Sequence, residues 1–199
     1  MSVKSYTELE AVNLILRNMG EAPVNSLSSP PLDASEALAT LQETSFEVQK
    51  RGWYFNTEIY RLSPDNNGNI QLPVNTLHVE STGNSKGTRV VSRNGLLYRI
   101  KPFDNGPVFE GPMELRLVLG LDFTDLPASA RSYIAIRASR VSQVRSVGDQ
   151  MSAQDDSQDE TRAFAELHAE QLAAERLSLK NSVTVSSGLY GAYTPQVVQ

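Results

Sequence analysis

The stretch Gln49-Lys50-Arg51-Gly52-Trp53-Tyr54-Phe55-Asn56-Thr57-Glu58-Ile59-Tyr60-Arg61-Leu62 decides the fold, because the spacing of apolar residues changes inside it. Upstream, Asp33 and Glu36 stand at capping-box spacing, and Ala34, Leu38, Leu41, Ser45 and Val48 form one helical stripe. This predicts a helix ending near Arg51 and Gly52. From Trp53 to Leu62 aromatic and β-branched residues take over, which predicts extended structure.

Working outward, Ser5 and Glu8 also have capping-box spacing, and Leu9, Val12, Leu16 and Met19 recur helically before Gly20, so a first helix over about 5–19 is expected. The Ser- and Pro-rich residues 21–31 read as a loop. Downstream, Asn66-Asn67-Gly68 is a turn signal, and Val90-Val91 faces Leu96-Leu97-Tyr98 across Asn94-Gly95, a strong hairpin signal. Prolines 102, 107 and 112 interrupt the β region before an apolar strand over 115–121. After Leu126-Pro127, the residues Tyr133, Ile134, Ile136, Val141 and Val144 predict a third helix to about Val147 with a broad apolar face. From Ser152 an Ala-, Glu- and Leu-rich run, with Phe164, Leu167, Ala174 and Leu177 on one face, predicts a long fourth helix to about Lys180. The expected class is α+β: a bundle of about four helices (1–52 and 121–180), a small antiparallel β insertion (53–120) and an extended C-terminal tail (181–199).

Composition narrows the function. The 199 residues, 40% of them hydrophobic, are enough for one domain or one domain with an insertion. No long apolar run and no apolar core after Met1 point to a membrane span or Sec signal, so folding in a cytoplasm is expected. Cysteine is absent, which removes disulfides, thiolate metal sites and cysteine nucleophiles. A net charge of −5 argues against gripping nucleic acid.

Chemistry-bearing patterns are sparse. Asp122 with Asp125, and Asp155 with Asp156, are local carboxylate pairs that a glycoside hydrolase could use, but catalytic pairs usually come from separate elements. His168 reads as a surface residue and His78, between Leu77 and Val79, as a hydrogen-bonded structural one. No metal cluster, phosphate loop or dinucleotide fingerprint occurs. Neither catalytic residues, cofactor nor metal is expected. Trp53, Tyr54 and Phe55 read as a core anchor at the helix-to-strand junction.

Two groups remain as candidate contact residues. Arg131, Arg137, Arg140 and Arg145 line the third helix while Asp155, Asp156, Asp159 and Glu160 open the fourth, so opposite charges on neighbouring helices, within a subunit or between subunits, could set register. In the tail, Val183, Val185, Leu189, Tyr190 and Tyr193 are too apolar for a spacer, while Gly188, Gly191 and Pro195 interrupt any helix, a pattern suited to docking on a partner's sheet edge or groove.

Three stretches resemble the tail tubular protein A family, the head-to-tail adaptors of short-tailed bacteriophages. They are Glu8-Leu9-Glu10-Ala11-Val12-Asn13 with Met19-Gly20-Glu21-Ala22-Pro23-Val24, then Gln49 to Asn56, then Asp122-Phe123 through Leu126-Pro127 to Arg131-Ser132-Tyr133-Ile134 and Arg137-Ala138-Ser139-Arg140. The resemblance covers the helical parts well and the β insertion in outline. It implies a virion protein assembled in the host cytoplasm. It also implies a homo-oligomeric, dodecameric ring under the portal, a nozzle of tail tubular protein B below and a tail fibre or tailspike at the side, with DNA passing through the bore without specific binding. The alternatives are a tail-borne glycan hydrolase using Asp122 or Asp125, and a packaging accessory that binds duplex DNA.

Overall fold

The computed structural model describes residues 6–101, 105–146 and 152–181, with the side chains of 146, 152–156 and 177–181 outside that set. The fold is α+β: the described residues form four helices and two small antiparallel sheets in the order α1 (Glu8–Met19), α2 (Leu32–Gln49), β1 (Thr57–Leu62), β2 (Thr76–Ser81), β3 (Val90–Arg93), β4 (Leu96–Arg99), β5 (Met113–Leu119), α3 (Ala128–Ser146) and α4 (Ser152–Asn181). No helix among the described residues is long and apolar enough to cross a membrane.

Helix α1 starts two residues later than the spacing of Ser5 and Glu8 predicts. Its capping box is Thr7 with Glu10: the Glu10 amide donates to Thr7 Oγ1 at 3.2 Å and the Thr7 amide to Glu10 Oε2 at 2.9 Å. Gly20, at φ +82°, ends the helix in the left-handed region, and the Glu21 amide reaches back to the Leu16 carbonyl at 2.9 Å. The loop that follows is pinned by Asn13, whose amide both donates to the Val24 carbonyl (2.9 Å) and accepts from the Val24 amide (2.8 Å). Helix α2 likewise departs from its expected cap. It opens at Pro31 without a side-chain cap, and Asp33 already lies in the first turn, where its charge suits the exposed amides of the helix N-terminus.

Helix α3 is the hub, packed against α1, α2 and α4. The broad apolar face predicted for it is only partly used: Tyr133 and Ile134 are buried, yet Val144 is exposed, and the rest of the buried set is Ala130, Ala135, Ala138, Ser129, Ser139 and Ser142. Three neighbours crowd one helix, so small side chains are what let the backbones approach. The bundle core joins these residues to Val12, Ile15, Leu16, Leu41, Trp53 and Leu167.

The β region has a core of its own. Central strand β5 pairs antiparallel with β1 and β2, and its alternate residues Met113, Leu115, Leu117 and Leu119 face Ile70, Leu72, Leu97 and Phe109. This strand lies two residues before the expected 115–121. The β3–β4 hairpin forms as its sequence indicates, with Val91 opposite Tyr98 and positive φ at both Asn94 (51°) and Gly95 (74°). Asp65 builds the preceding turn by accepting from the amides of Asn67 (2.9 Å) and Asn69 (2.8 Å). The expected strand over 53–62 begins only at Thr57, because residues 54–56 turn.

That turn joins the two cores. Asn56 is fully buried: its amide nitrogen donates to the carbonyls of Gln49 (3.0 Å) and Leu119 (2.8 Å), and its oxygen accepts from the Trp53 amide (2.8 Å). Gln49, 3% exposed, donates to Ser45 Oγ (2.9 Å) and the Leu121 carbonyl (3.0 Å) and accepts from the Leu121 amide (2.8 Å). Gly52 makes the bend at φ +76°, and a Cβ there would sit 3.0 Å from Val118 Cγ2. Trp53 Nε1 donates to the Val48 carbonyl at 2.8 Å, and Leu121 touches both cores.

Replacing Asn56 by Ala removes the partner of the Trp53 amide and one bond each to the carbonyls of Leu119 and Gln49, the latter still accepting from the Gly52 amide at 3.0 Å, at a fully buried site, and is expected to cost about 2–4 kcal/mol of stability in urea unfolding. Asn56→Asp is expected to cost at least as much, since a carboxylate would face the carbonyls of Gln49 and Leu119. A loss under about 1 kcal/mol for both would show that the junction does not depend on this side chain.

Candidate functional site

The helices bring together some of the charged residues singled out in the sequence and separate others. Arg137 Nη1 meets Glu160 Oε1 at 2.6 Å, and Arg140 Nε bonds the other oxygen of the same carboxylate, so one acid on α4 is held between two cations one turn apart on α3. Burial opposes the Arg137 charge, but the bond to Glu160, with Tyr133 adding to it, holds its pKa above the ordinary value. A cavity of about 440 Å³ opens over the pair, lined also by Arg51, Tyr133 and Phe164.

Arg131 instead donates to the Tyr6 carbonyl at 3.3 Å, tying α3 to the entry of α1. Arg145 reaches Glu43 of α2 at 3.5 Å, an exposed pair. Asp159 meets Arg162 of its own helix, also at 3.5 Å. The side chains of Asp155 and Asp156, and all of Val183, Val185, Leu189, Tyr190 and Tyr193, lie outside the described residues.

The aromatic anchor spans two helices. Trp53 is buried, with Phe164 edge-on at 6.3 Å and His168 at 5.8 Å, and Tyr133 lies 5.3 Å from Phe164. His168 is exposed on α4 apart from these ring contacts with Trp53 and, at 4.9 Å, Phe164. His78 is not the structural histidine its apolar neighbours suggest: it lies exposed on β2, where strand alternation buries Val79 instead.

A polar contact that sequence reading missed completes the docking of α4. Glu170 Oε2 accepts from Tyr54 Oη (3.0 Å) and Ser129 Oγ (2.6 Å), while the Tyr54 amide donates to Gln171 Oε1 at 2.8 Å. Asp122 and Asp125 are exposed on the 3-10 turn between β5 and α3. Asp122 and Glu8 border a groove of about 450 Å³ between α2 and the start of β2, alongside Phe46, Leu77 and Leu121. Among the described residues no group of three or more His, Asp or Glu could hold a metal ion.

Burial and then the bond and charge of Glu170 push the Tyr54 pKa from 10.0 up to about 12. The folded chain thus holds this phenol proton more tightly than the unfolded chain. Its contribution is complete below pH 10 and is lost as pH rises through about 12. The stability difference between wild type and Tyr54→Phe is expected to stay level below pH 10 and shrink between 10 and 12, in alkaline unfolding followed by Trp53 fluorescence. A difference unchanged across that window would show that the Tyr54–Glu170 bond does not couple to folding.

Comparison with known proteins places this architecture. A family model described as tail tubular protein matches residues 9–177, which spans the bundle and the β region together. Tail tubular protein A of Klebsiella phage KP34 is 32% identical over 128 residues, covering 64% of this chain and 67% of that protein. The chain belongs to the tail tubular protein family and is a component of a bacteriophage tail.

Proposed function

We propose that the chain is the subunit of a head-to-tail adaptor, a homo-oligomeric ring that joins the portal to the tail nozzle and forms part of the channel through which DNA leaves. The observation that carries this reading is the family match across 9–177, taken with the way Gln49 and Asn56 fasten the bundle to the β region. A subunit held between a portal and a nozzle transmits load from one partner to the other, and a buried junction bonded through both ends of two amide side chains resists hinging there.

Ring closure needs a heterologous contact repeated around an axis, with one patch of each copy against a different patch of the next. The resemblance implies twelve copies, with tail tubular protein B below and a fibre or tailspike at the side. A net charge of −5 suits a bore that lets duplex DNA slide without adhering. The apolar tail residues, with Tyr190 and Tyr193 as anchors, suit docking on the portal. The function is mechanical, so no catalytic residue is assigned.

The isolated protein is expected to be monomeric or weakly associated and to close into a ring on portal-bearing heads, since early self-assembly would compete with ordered head completion. Light scattering of the protein with and without portal checks this. A stable large ring formed by pure protein would remove the templating, and no ring on the portal would remove the adaptor role.

Asp122→Asn with Asp125→Asn is expected to leave any glycan-cleaving signal of the purified protein unchanged. A large drop in turnover with the fold intact would make this turn catalytic and overturn the mechanical reading.

A further inference from the structure

The charge of the chain is unevenly placed. Of 18 basic and 23 acidic side chains, five basic and no acidic ones lie between Gly83 and Lys101, leaving 13 against 23, or −10, in the remainder. That basic segment contains the β3–β4 hairpin.

Leu97 of the hairpin is fully buried in the β core, so Leu96 and Tyr98 lie on the opposite face, paired with Arg93 and Val91. The Ile100 amide donates to the Arg89 carbonyl at 2.8 Å, which continues the ladder and puts Arg89 on that same outer face. Arg89, Arg93 and the nearby Lys86 are exposed, and the Arg93 guanidinium lies 4.1 Å over the Tyr98 ring. The acids of the adjoining sheet are already engaged, Glu80 by Arg116 at 3.5 Å and Glu114 by the Asn84 amide at 2.9 Å. The face is therefore cationic around an apolar and aromatic centre, the make-up of a protein interface.

We propose that this hairpin face docks on the exposed acidic face of α2 in a second copy of the chain. The α2 face carries Leu32, Glu36, Ala39, Glu43, Phe46 and Glu47, with Leu32 72% and Phe46 52% exposed. Charge and apolar content thus match. So does length: Arg89 and Arg93 stand about 13 Å apart along the strand, and Glu36 and Glu43 about 11 Å apart along the helix. Glu43 also reaches Arg145 and Glu47 reaches Lys50, but these are exposed pairs that exchange readily. The hairpin belongs to the β core and α2 to the bundle, so the contact joins unlike patches and can repeat from copy to copy. A DNA duplex fits less well. Lys86, Arg89 and Arg93 would neutralise about three phosphates, a weak hold at physiological salt, and Val91, Leu96 and Tyr98 would gain nothing from a phosphate backbone.

The inference rests on the adaptor reading in one respect, that copies of the chain touch. Sedimentation velocity of the full-length protein at low ionic strength and rising concentration tests it. Wild type is expected to associate weakly and to lose association as salt is added. Arg89→Glu with Arg93→Glu, and separately Glu36→Lys with Glu43→Lys, should each weaken it at least about ten-fold, and an equal mixture of the two variants should recover it. Circular dichroism checks that each folds, and Arg89→Gln with Arg93→Gln gives the same reading with a smaller loss should the reversal unfold the hairpin. A wild type that stays monomeric throughout overturns the proposal, as do reversals without effect. Hairpin-dependent retardation of a labelled duplex without self-association overturns it in favour of DNA. If the reversed variants still form rings on portal-bearing heads as wild type does, the contact falls and the adaptor reading stands. If the charge swap works but no ring forms on portal, the contact stands and the adaptor reading falls.

Discussion

Two buried amides, Gln49 and Asn56, hold the molecule in one piece. Each uses both ends of its side chain: together they satisfy the carbonyls of Gln49, Leu119 and Leu121 and the amides of Trp53 and Leu121. An amide can do this because it carries a donor and an acceptor in one plane; no aliphatic side chain could, and a carboxylate would serve only the amides. The groups it satisfies belong to the end of α2 and the exit of β5, which are about 70 residues apart in sequence. Closing so long a loop is entropically unfavourable, and the bond set that closes it is buried, where each bond is worth more and each omission costs more. The separate apolar cores on either side supply stability, while this junction supplies their relative placement.

The docking of α4 divides in the same manner between apolar burial and polar direction. Leu167 is fully buried and Ala163 nearly so, with Phe164 packed on Tyr133 and Trp53. Burying one leucine is worth about 1.5–3 kcal/mol, whereas an ion pair on a partly exposed surface adds about 1 kcal/mol or less. The Arg137–Glu160–Arg140 group lies between these extremes, since the Glu160 side chain is 13% exposed and each arginine side chain 31%. Its value is directional. An apolar stripe alone would let α4 slide along α3 by a turn, but only one register puts Glu160 between two guanidinium groups and Glu170 beside Tyr54 and Ser129.

Much of this was legible in the chain because it depends on local spacing. The change of period after Gly52 and the Asn94-Gly95 hairpin each rest on a few adjacent residues whose backbone preferences act alone. Capping was misread where two candidates competed: Thr7 with Glu10 won over Ser5 with Glu8, and Pro31 opened α2 ahead of Asp33. The apolar face expected of α3 failed for a tertiary reason, since a helix surrounded on three sides buries alanine and serine where a one-sided helix would bury valine. Arg137, Arg140 and Glu160 could be named as charged residues on neighbouring helices, but which cation meets which acid depends on helix rotation. The Gln49–Asn56 junction was invisible as such. Both residues are of types that usually face water, and only the completed fold shows that their partners are backbone groups from a distant strand.

Averages over the chain obscure function in one further way. A net charge of −5 argues against a hold on DNA when spread evenly, yet the same total here conceals a cationic hairpin on the β region and an acidic ridge on α2. Uniform acidity would make identical subunits repel one another at short range. Segregated charge reverses that for one orientation only, in which the hairpin of one copy faces the helix of the next, while every like-to-like approach stays repulsive. Closed rings need that selectivity, because a symmetric pairing of like faces would stop at a dimer. Charge separation along a single chain can thus determine whether copies close pairwise or continue head to tail.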